Sequence, residues 1–256
     1  MNSILKNCLK GIPGWHGQQR YVAVAVDDYG SIRTANAKAV AYLKARLQGF
    51  GGPMDELDCM ETRDDLEALF SVLNRHCDSD GRAAVFTAYA LAANPASSSI
   101  KRERTYQYEN LRETFQRLAA VESQAYEGTW SMWRVGIENG LMRPQFHGRE
   151  HFSVPLIECK LRCKSPDLEA NLNVDSMSGL TNIPEMPGVG FTQAFGLHDL
   201  SLLDQQRAII SDGLRLFDEI FGFSSSTFTP PALKLHPSLD EYVASLGVKS
   251  IDKPLF

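Results

Sequence analysis

The sequence predicts an α/β fold in which parallel strands are covered by helices. It has 256 residues, of which 43% are hydrophobic, enough to bury a large core. Short runs rich in β-forming residues alternate with longer amphipathic segments, the order typical of parallel sheets with helices packed outside them. We expect one domain over residues 1–256, with residues 1–19 as an N-terminal extension and the first strand from about residue 20.

Six runs are predicted to be strands because they combine apolar side chains with β-branched or aromatic residues. The first, YVAVAV, is nearly all apolar, as expected of a strand covered on both faces. The six predicted strands cover residues 21–26, 83–88, 143–147, 190–195, 226–229 and 248–251.

Two segments between these strands have helical periodicity. Residues 64–76 place their apolar side chains on one face, and Thr62 with Asp65 is typical of a capping box at the start. Residues 200–222 repeat the pattern and end at Gly222, a residue type common just after a helix.

Two further stretches carry expectations about packing. Residues 164–190 are rich in Ser, Pro, Asn and Gly, which predicts a long excursion loop. Trp130 and Trp133 recur at helical spacing, which predicts that both indoles pack inward rather than stack on a ligand.

The composition argues against several classes of partner. Twenty-six Lys and Arg residues stand against 31 Asp and Glu, a formal charge of −5, and no basic block appears, so nucleic acid is not expected. No apolar run approaches the roughly 18 residues of a membrane span, and no signal peptide is recognisable, so we expect a cytoplasmic protein.

The five cysteines are an odd number spread along the chain, which favours a reducing compartment over a disulfide framework. Cys159 and Cys163 would share a helix face, but no second pair accompanies them. We interpret them as two half-buried thiols rather than as a zinc site.

Potential metal ligands follow two of the predicted strands. Asp27 and Asp28 follow YVAVAV, and adjacent carboxylates repel one another unless a cation offsets the repulsion. His147 and His151 follow RPQF and are spaced to bind one ion. Taken alone, the aspartates could cap a helix or form a turn, and the histidines could be a surface pair. Together they predict a divalent-metal site of Asp28, His147 and His151, with Asp27 beside it.

Two other segments are expected at the same end of the sheet, because the loops after parallel strands gather there. The segment TFTPPA ends in Pro230, Pro231 and Ala232, and its stiff backbone suits an amide N–H held toward a substrate oxygen. A rigid turn without such a role is an equal alternative. Thr87 and Asn94, in and after the second predicted strand, are expected near the same end of the sheet. A plain turn before Pro95 explains Asn94 nearly as well as a role in the site.

These residues resemble the motifs of the polysaccharide deacetylases of carbohydrate esterase family 4, the NodB-homology group, in a divergent branch with HGREH. The resemblance implies that Asp27 is the catalytic base, that Asp28, His147 and His151 bind the metal, and that the Ala232 amide helps hold the oxyanion. It implies an irregular seven-stranded (β/α) barrel, here shortened at the C-terminus to about six strands. It also implies zinc as the ion and an N-acetyl or O-acetyl carbohydrate as the substrate.

The sequence departs from the family pattern at several positions. Tyr29 is inserted before Gly30, Thr229 stands where an arginine is expected, and Ala232 stands where an aromatic residue is expected. The late Leu-x-His motif, whose histidine acts as general acid, has no counterpart after residue 248, so His236 is the remaining nominee.

Two alternatives therefore accompany the deacetylase hypothesis. The first is a catalytically silent relative that binds a carbohydrate or another partner through the same site. The second is the YdjC-like deacetylase group, which also uses an aspartate pair and two histidines. That group places one histidine soon after its second strand, and FTAYALAANP has none there, so it fits less well.

Overall fold

The computed structural model describes residues 21–254, and its centre is a parallel five-stranded sheet with the order β1-β2-β5-β6-β7. A second, antiparallel sheet pairs β3 with β4. The strands are β1 (Val24–Tyr29), β2 (Phe86–Leu91), β3 (Ala93–Pro95), β4 (Tyr108–Asn110), β5 (Gln145–Gly148), β6 (Thr227–Phe228) and β7 (Ser250–Ile251). The predicted N-terminal extension lies outside the described residues.

Helices connect the strands, as the alternating pattern predicted. They are α1 (Ala37–Lys44), α2 (Pro53–Glu56), α3 (Arg63–Arg75), α4 (Ser97–Glu103), α5 (Leu111–Val121), α6 (Ser123–Tyr126), α7 (Thr129–Glu138), α8 (Val154–Arg162), α9 (Pro166–Leu172), α10 (Leu203–Phe221) and α11 (Asp240–Ser245). The main core joins β2, β5 and β6 to the apolar faces of α3, α5, α7 and α10. None of the helices between residues 21 and 254 has the length and hydrophobicity needed to cross a membrane.

Five of the six predicted strands overlap observed ones, displaced by up to three residues. The strand predicted over residues 190–195 is wrong, because this segment forms turns. Gln193 closes them: its side-chain Oε1 accepts a hydrogen bond from the Gly190 amide, and its carbonyl accepts one from Gly196. Ala194 and Phe195 are nevertheless buried in the main core. The apolar residues of this segment therefore predicted its burial correctly and its backbone conformation wrongly.

The first strand was expected to be covered on both faces, and this prediction is also wrong. In β1, Val24 and Val26 are each 42% exposed. The reason is that, among the described residues 21–254, β1 lies at the edge of the sheet and pairs with β2 alone. No pairing between β1 and β7 closes the sheet within residues 21–254, so the predicted barrel is not confirmed.

Both predicted helices are present. Helix α3 begins after a complete capping box between Thr62 and Asp65, in which each side chain accepts from the other residue's backbone amide. Helix α10 follows a short 3₁₀ turn at Leu200–Leu202 and ends at Gly222, whose φ of 77° places it in the left-handed region.

The excursion predicted over residues 164–190 begins with helix α9 and continues as loop, and it is well packed. A separate apolar cluster joins α9 to α8 and α4 through Leu168, Leu161 and Ile100. Beneath it, the fully buried Lys160 ammonium donates to Asp167 at 2.7 Å and to Thr181 at 3.1 Å. Of the two tryptophans, Trp133 is fully buried, and Trp130 is partly buried against the same core.

Candidate metal site

Asp28 lies in a distorted part of β1. The pairing of β1 with β2 slips between Val26 and Tyr29, and Asp28 has a φ of 64°. This left-handed conformation costs a residue with a side chain about 1–2 kcal/mol. The distortion turns the Asp28 carboxylate toward the loop after β5, while Tyr29 packs against Phe86 and Trp133 in the core.

The loop after Asp28 is held by two polar side chains. The fully buried Asn94 accepts a hydrogen bond from the Ile32 amide at 2.9 Å and donates one to the Gly30 carbonyl at 2.8 Å. Glu61 accepts from the Gly30 amide at 3.1 Å and from the Trp133 indole at 2.9 Å. Burial raises the pKa of the Glu61 carboxyl to about 7. Neither role was predicted from the sequence.

The two histidines come from β5 and from the loop that follows it. His147 Nε2 lies 3.0 Å from Asp28 Oδ1, and His151 Nε2 lies 2.7 Å from the same oxygen. Both imidazoles are buried, with 1% and 5% of their side chains exposed. The three ligand atoms lie within 4.8 Å of one another, so the structure brings together the three residues that the sequence nominated.

The hydrogen bond at His147 Nδ1 determines whether the space between His147 Nε2 and Asp28 Oδ1 suits a cation. Its Nδ1 is 2.6 Å from the Thr229 carbonyl oxygen, which can only accept, so Nδ1 carries the proton. In a neutral imidazole, Nε2 then presents a lone pair toward the Asp28 carboxylate, which is also an acceptor. Two acceptors 3.0 Å apart need a shared cation or a second proton between them. The donor set therefore fits a metal ion.

The ionisation states of the other ligands agree with this fit, because metal binding needs a carboxylate and neutral imidazoles. Burial lowers the pKa of the His151 imidazole, which favours its neutral form. Burial alone would raise the pKa of Asp28, but the adjacent imidazoles of His147 and His151 outweigh burial and hold that pKa below its usual value. The buried His151 Nδ1 has no protein partner within residues 21–254.

The segment between the histidines is fixed by ion pairs. Arg149 binds both oxygens of Glu150, at 2.6 and 2.9 Å, and its Nη1 reaches Asp212 of α10 at 3.0 Å. The guanidinium also lies over the ring of Tyr108. Gly148 has a φ of 153°, and a Cβ there would lie 3.1 Å from the Glu150 carbonyl oxygen. The HGREH sequence thus supplies two candidate ligands and the charges that fix the turn between them.

Comparisons with known proteins add little to this geometry. No protein-family model matches the sequence, and a search of curated proteins finds no match. Among solved structures, the chain is similar to IcaB from Ammonifex degensii, with 11% identity, coverage of 93% of each chain and a TM-score of 0.40. We draw no inference about activity from a likeness of this degree.

The remaining nominated residues make no hydrogen bond or ion pair with these three side chains within residues 21–254. The Asp27 side chain is exposed and makes no hydrogen bond or ion pair with any residue between 21 and 254. Ala232 has a left-handed φ of 54° in the loop after β6 and is exposed. His236 caps a 3₁₀ turn by accepting from the Ser238 amide at 3.2 Å. Thr87 lies inside β2 rather than at its end.

Arg33 and Asp58 adjoin the three ligands and were missed. Arg33 Nη2 is 3.9 Å from Asp28 Oδ2, and Arg33 Nε is 3.0 Å from Asp58 Oδ2. The only sequence signal was the position of Arg33 five residues after Asp28. Asp58 lies in an irregular segment before α3, where neither periodicity nor spacing marks it.

Proposed function

We propose that Asp28, His147 and His151 bind a divalent cation, zinc in the first instance, and that the protein is a metal-dependent hydrolase. The observation that carries this proposal is a pair of acceptors, His147 Nε2 and Asp28 Oδ1, that lie 3.0 Å apart. The Thr229 carbonyl accepts from His147 Nδ1 and so fixes the proton on that nitrogen. An Asp and two His leave positions open for water and substrate, as catalytic zinc sites require.

The proposed reaction is removal of an acetyl group, preferably N-acetyl, from a polysaccharide or oligosaccharide. The resemblance of the aspartate pair and HGREH to the deacetylase motifs supports this choice of substrate. A bound divalent cation would polarise the acetyl carbonyl and make a water molecule more acidic.

The chain's own groups would orient the reactants. Thr229 fixes the His147 ring, and Asn94 with Glu61 holds the backbone after Asp28. The Ala232 amide is the proposed donor to the developing oxyanion, in keeping with a loop whose backbone is held in an unfavourable conformation.

The alternative is a silent relative that binds a carbohydrate without hydrolysing it. The exposure of Asp27 and the capping role of His236 favour this alternative, because both residues were nominated for proton transfer. Under it, the protein binds metal but releases no acetate from any acetylated sugar.

The test combines metal titration with an assay for released acetate. Wild type should bind one zinc ion, and Asp28→Ala and His147→Ala should each abolish that binding. His76→Ala is the matched control, since His76 is exposed and remote from the three ligands in the fold. Acetate release from chitooligosaccharides supports the hydrolase. Zinc binding without release supports the silent relative, and unchanged binding in Asp28→Ala contradicts both.

A further inference from the structure

A buried arginine lies between two carboxylates beside the three ligands, and only one of these carboxylates is a ligand. The Arg33 side chain is 9% exposed, with Asp28 on one side and Asp58 on the other. The Thr34 amide donates to the Asp58 carbonyl at 3.3 Å, which ties the segment carrying Asp58 to the loop after β1.

The contact between Arg33 and Asp58 leaves the carboxylate chemically available. Although Nε is 3.0 Å from Asp58 Oδ2, it has no aligned hydrogen-bond acceptor within residues 21–254. Arg33 thus places a positive charge beside Asp58 without an aligned Nε–H bond to its oxygens. A general base needs such a carboxylate, held in place and with an accessible lone pair.

The position of Asp58 suits proton transfer at the same site. Its side chain is 28% exposed, so water and substrate can reach it. Burial raises the pKa of Asp58, the nearby Asp28 carboxylate adds to that rise, and Arg33 opposes it. The Asp27 side chain, by contrast, is exposed and makes no hydrogen bond or ion pair with these groups within residues 21–254.

We propose that Asp58, rather than Asp27, is the general base of the site, with Arg33 as its positioning residue. This inference rests on the proposed hydrolase function. Asp58 accepts one proton from water as the water oxygen bonds to the acetyl carbon and the carbonyl electron pair moves to oxygen. The same proton then passes from Asp58 to the nitrogen as the C–N bond breaks. The products are acetic acid, which ionises in solution, and a free amine.

The first experiment compares three variants for metal affinity and for acetate release. Asp58→Asn should lower kcat by about 10²- to 10⁴-fold and leave zinc affinity unchanged. Glu56→Gln is the matched control, because Glu56 is a nearby acid paired with Lys44 at 2.8 Å, away from the ligands. It should keep wild-type activity. A wild-type rate in Asp58→Asn, or a comparable loss confined to Asp27→Asn, overturns the proposal.

A second readout does not depend on turnover. In protein with isotope-labelled aspartate, the Asp58 carboxyl signal can be assigned by its absence in Asp58→Asn and titrated by NMR. Adding zinc should lower the apparent pKa of Asp58, because a cation at the three ligands would favour the nearby carboxylate. An unchanged titration overturns the proposal. If wild type releases no acetate but zinc still lowers the apparent pKa of Asp58, the hydrolase function is rejected and Asp58 is retained as a carboxylate beside the metal.

Discussion

Replacement of Asn94 by alanine tests how the loop after β1 supports the metal site. Asn94 is fully buried and bonds two backbone groups, the Ile32 amide and the Gly30 carbonyl, which are themselves buried. It also donates to Thr114 at 3.4 Å. These bonds surround Ser31 and hold the backbone just after the strained Asp28.

The expected cost follows from the two backbone groups that lose their partner. Leaving a buried donor or acceptor unsatisfied costs about 1–3 kcal/mol, so Asn94→Ala should lower the free energy of unfolding by roughly 2–4 kcal/mol. Metal affinity should fall about 10- to 100-fold, the usual effect of removing a group that orients a ligand. The reason is that the left-handed conformation of Asp28 can relax once Gly30 and Ile32 are released.

Asn171→Ala is the matched control. Asn171 is also fully buried and makes three bonds, donating to the Asp167 and Ser178 carbonyls and accepting from the Ser178 amide. It lies in the excursion, and its side chain bonds only to residues of that segment among residues 21–254. Urea unfolding should show a similar loss of stability in both variants, whereas zinc titration should show weaker binding in Asn94→Ala alone. Equal zinc affinities in the two variants would refute a positioning role for Asn94.

Three further outcomes are expected. Gly213→Ala should destabilise the fold by about 1–3 kcal/mol although alanine has the better helix propensity, because the new Cβ would lie 2.8 Å from the Cβ and 3.1 Å from the Cα of Arg149. A variant that is more stable than wild type in urea unfolding would contradict this. Burial raises the pKa of Glu61 from 4.5 to about 7, so folding takes up a proton between these pH values, and the free energy of unfolding should fall by about 3 kcal/mol at most as pH rises through this window. Glu61→Gln should flatten this pH dependence, and an unaltered slope would count against the buried Glu61 carboxyl as its source. Lys160→Met should lower the free energy of unfolding by about 3 kcal/mol, because it leaves the Asp167 carboxylate without its cation, and it should not change zinc affinity. A loss of stability below about 1 kcal/mol would argue against a strong Lys160–Asp167 pair.

The sequence nominated three residues that the structure brings together, because each lies at or shortly after a strand end, where chain order and spatial order agree. Asp28 is the next-to-last residue of β1, His147 lies in β5, and the register of a parallel sheet brings such ends together. The same reasoning could not find Asp58, which reaches the site through a loop and is marked only by its contact with Arg33.

The errors in the predicted fold have a common cause. The runs at residues 21–26 and 190–195 were both predicted to be strands, yet the first leads into an exposed edge strand and the second forms a set of buried turns. Hydrophobicity indicates whether a segment can be buried, and the partners on either side decide whether it is. The capping box of α3 was predicted correctly because both of its residues lie within one turn of chain.

Backbone strain offers an independent argument for where the function lies. Six residues other than glycine have a left-handed φ between residues 21 and 254, and three of them, Arg104, Lys164 and Asp175, follow helix ends, where this conformation satisfies helix carbonyls or turns the chain. The other three, Asp28, Ala232 and Leu233, end no α-helix. They lie at the ends of β1 and β6, in the segments that supply one proposed ligand and the proposed oxyanion donor. Strain of about 1–3 kcal/mol per residue persists only where the surrounding structure enforces it, and Asn94, Glu61 and the Pro230–Pro231 pair provide that constraint here. Glycine would relieve this strain at each of the three positions, but at residue 28 it would remove the carboxylate that the proposed metal site needs.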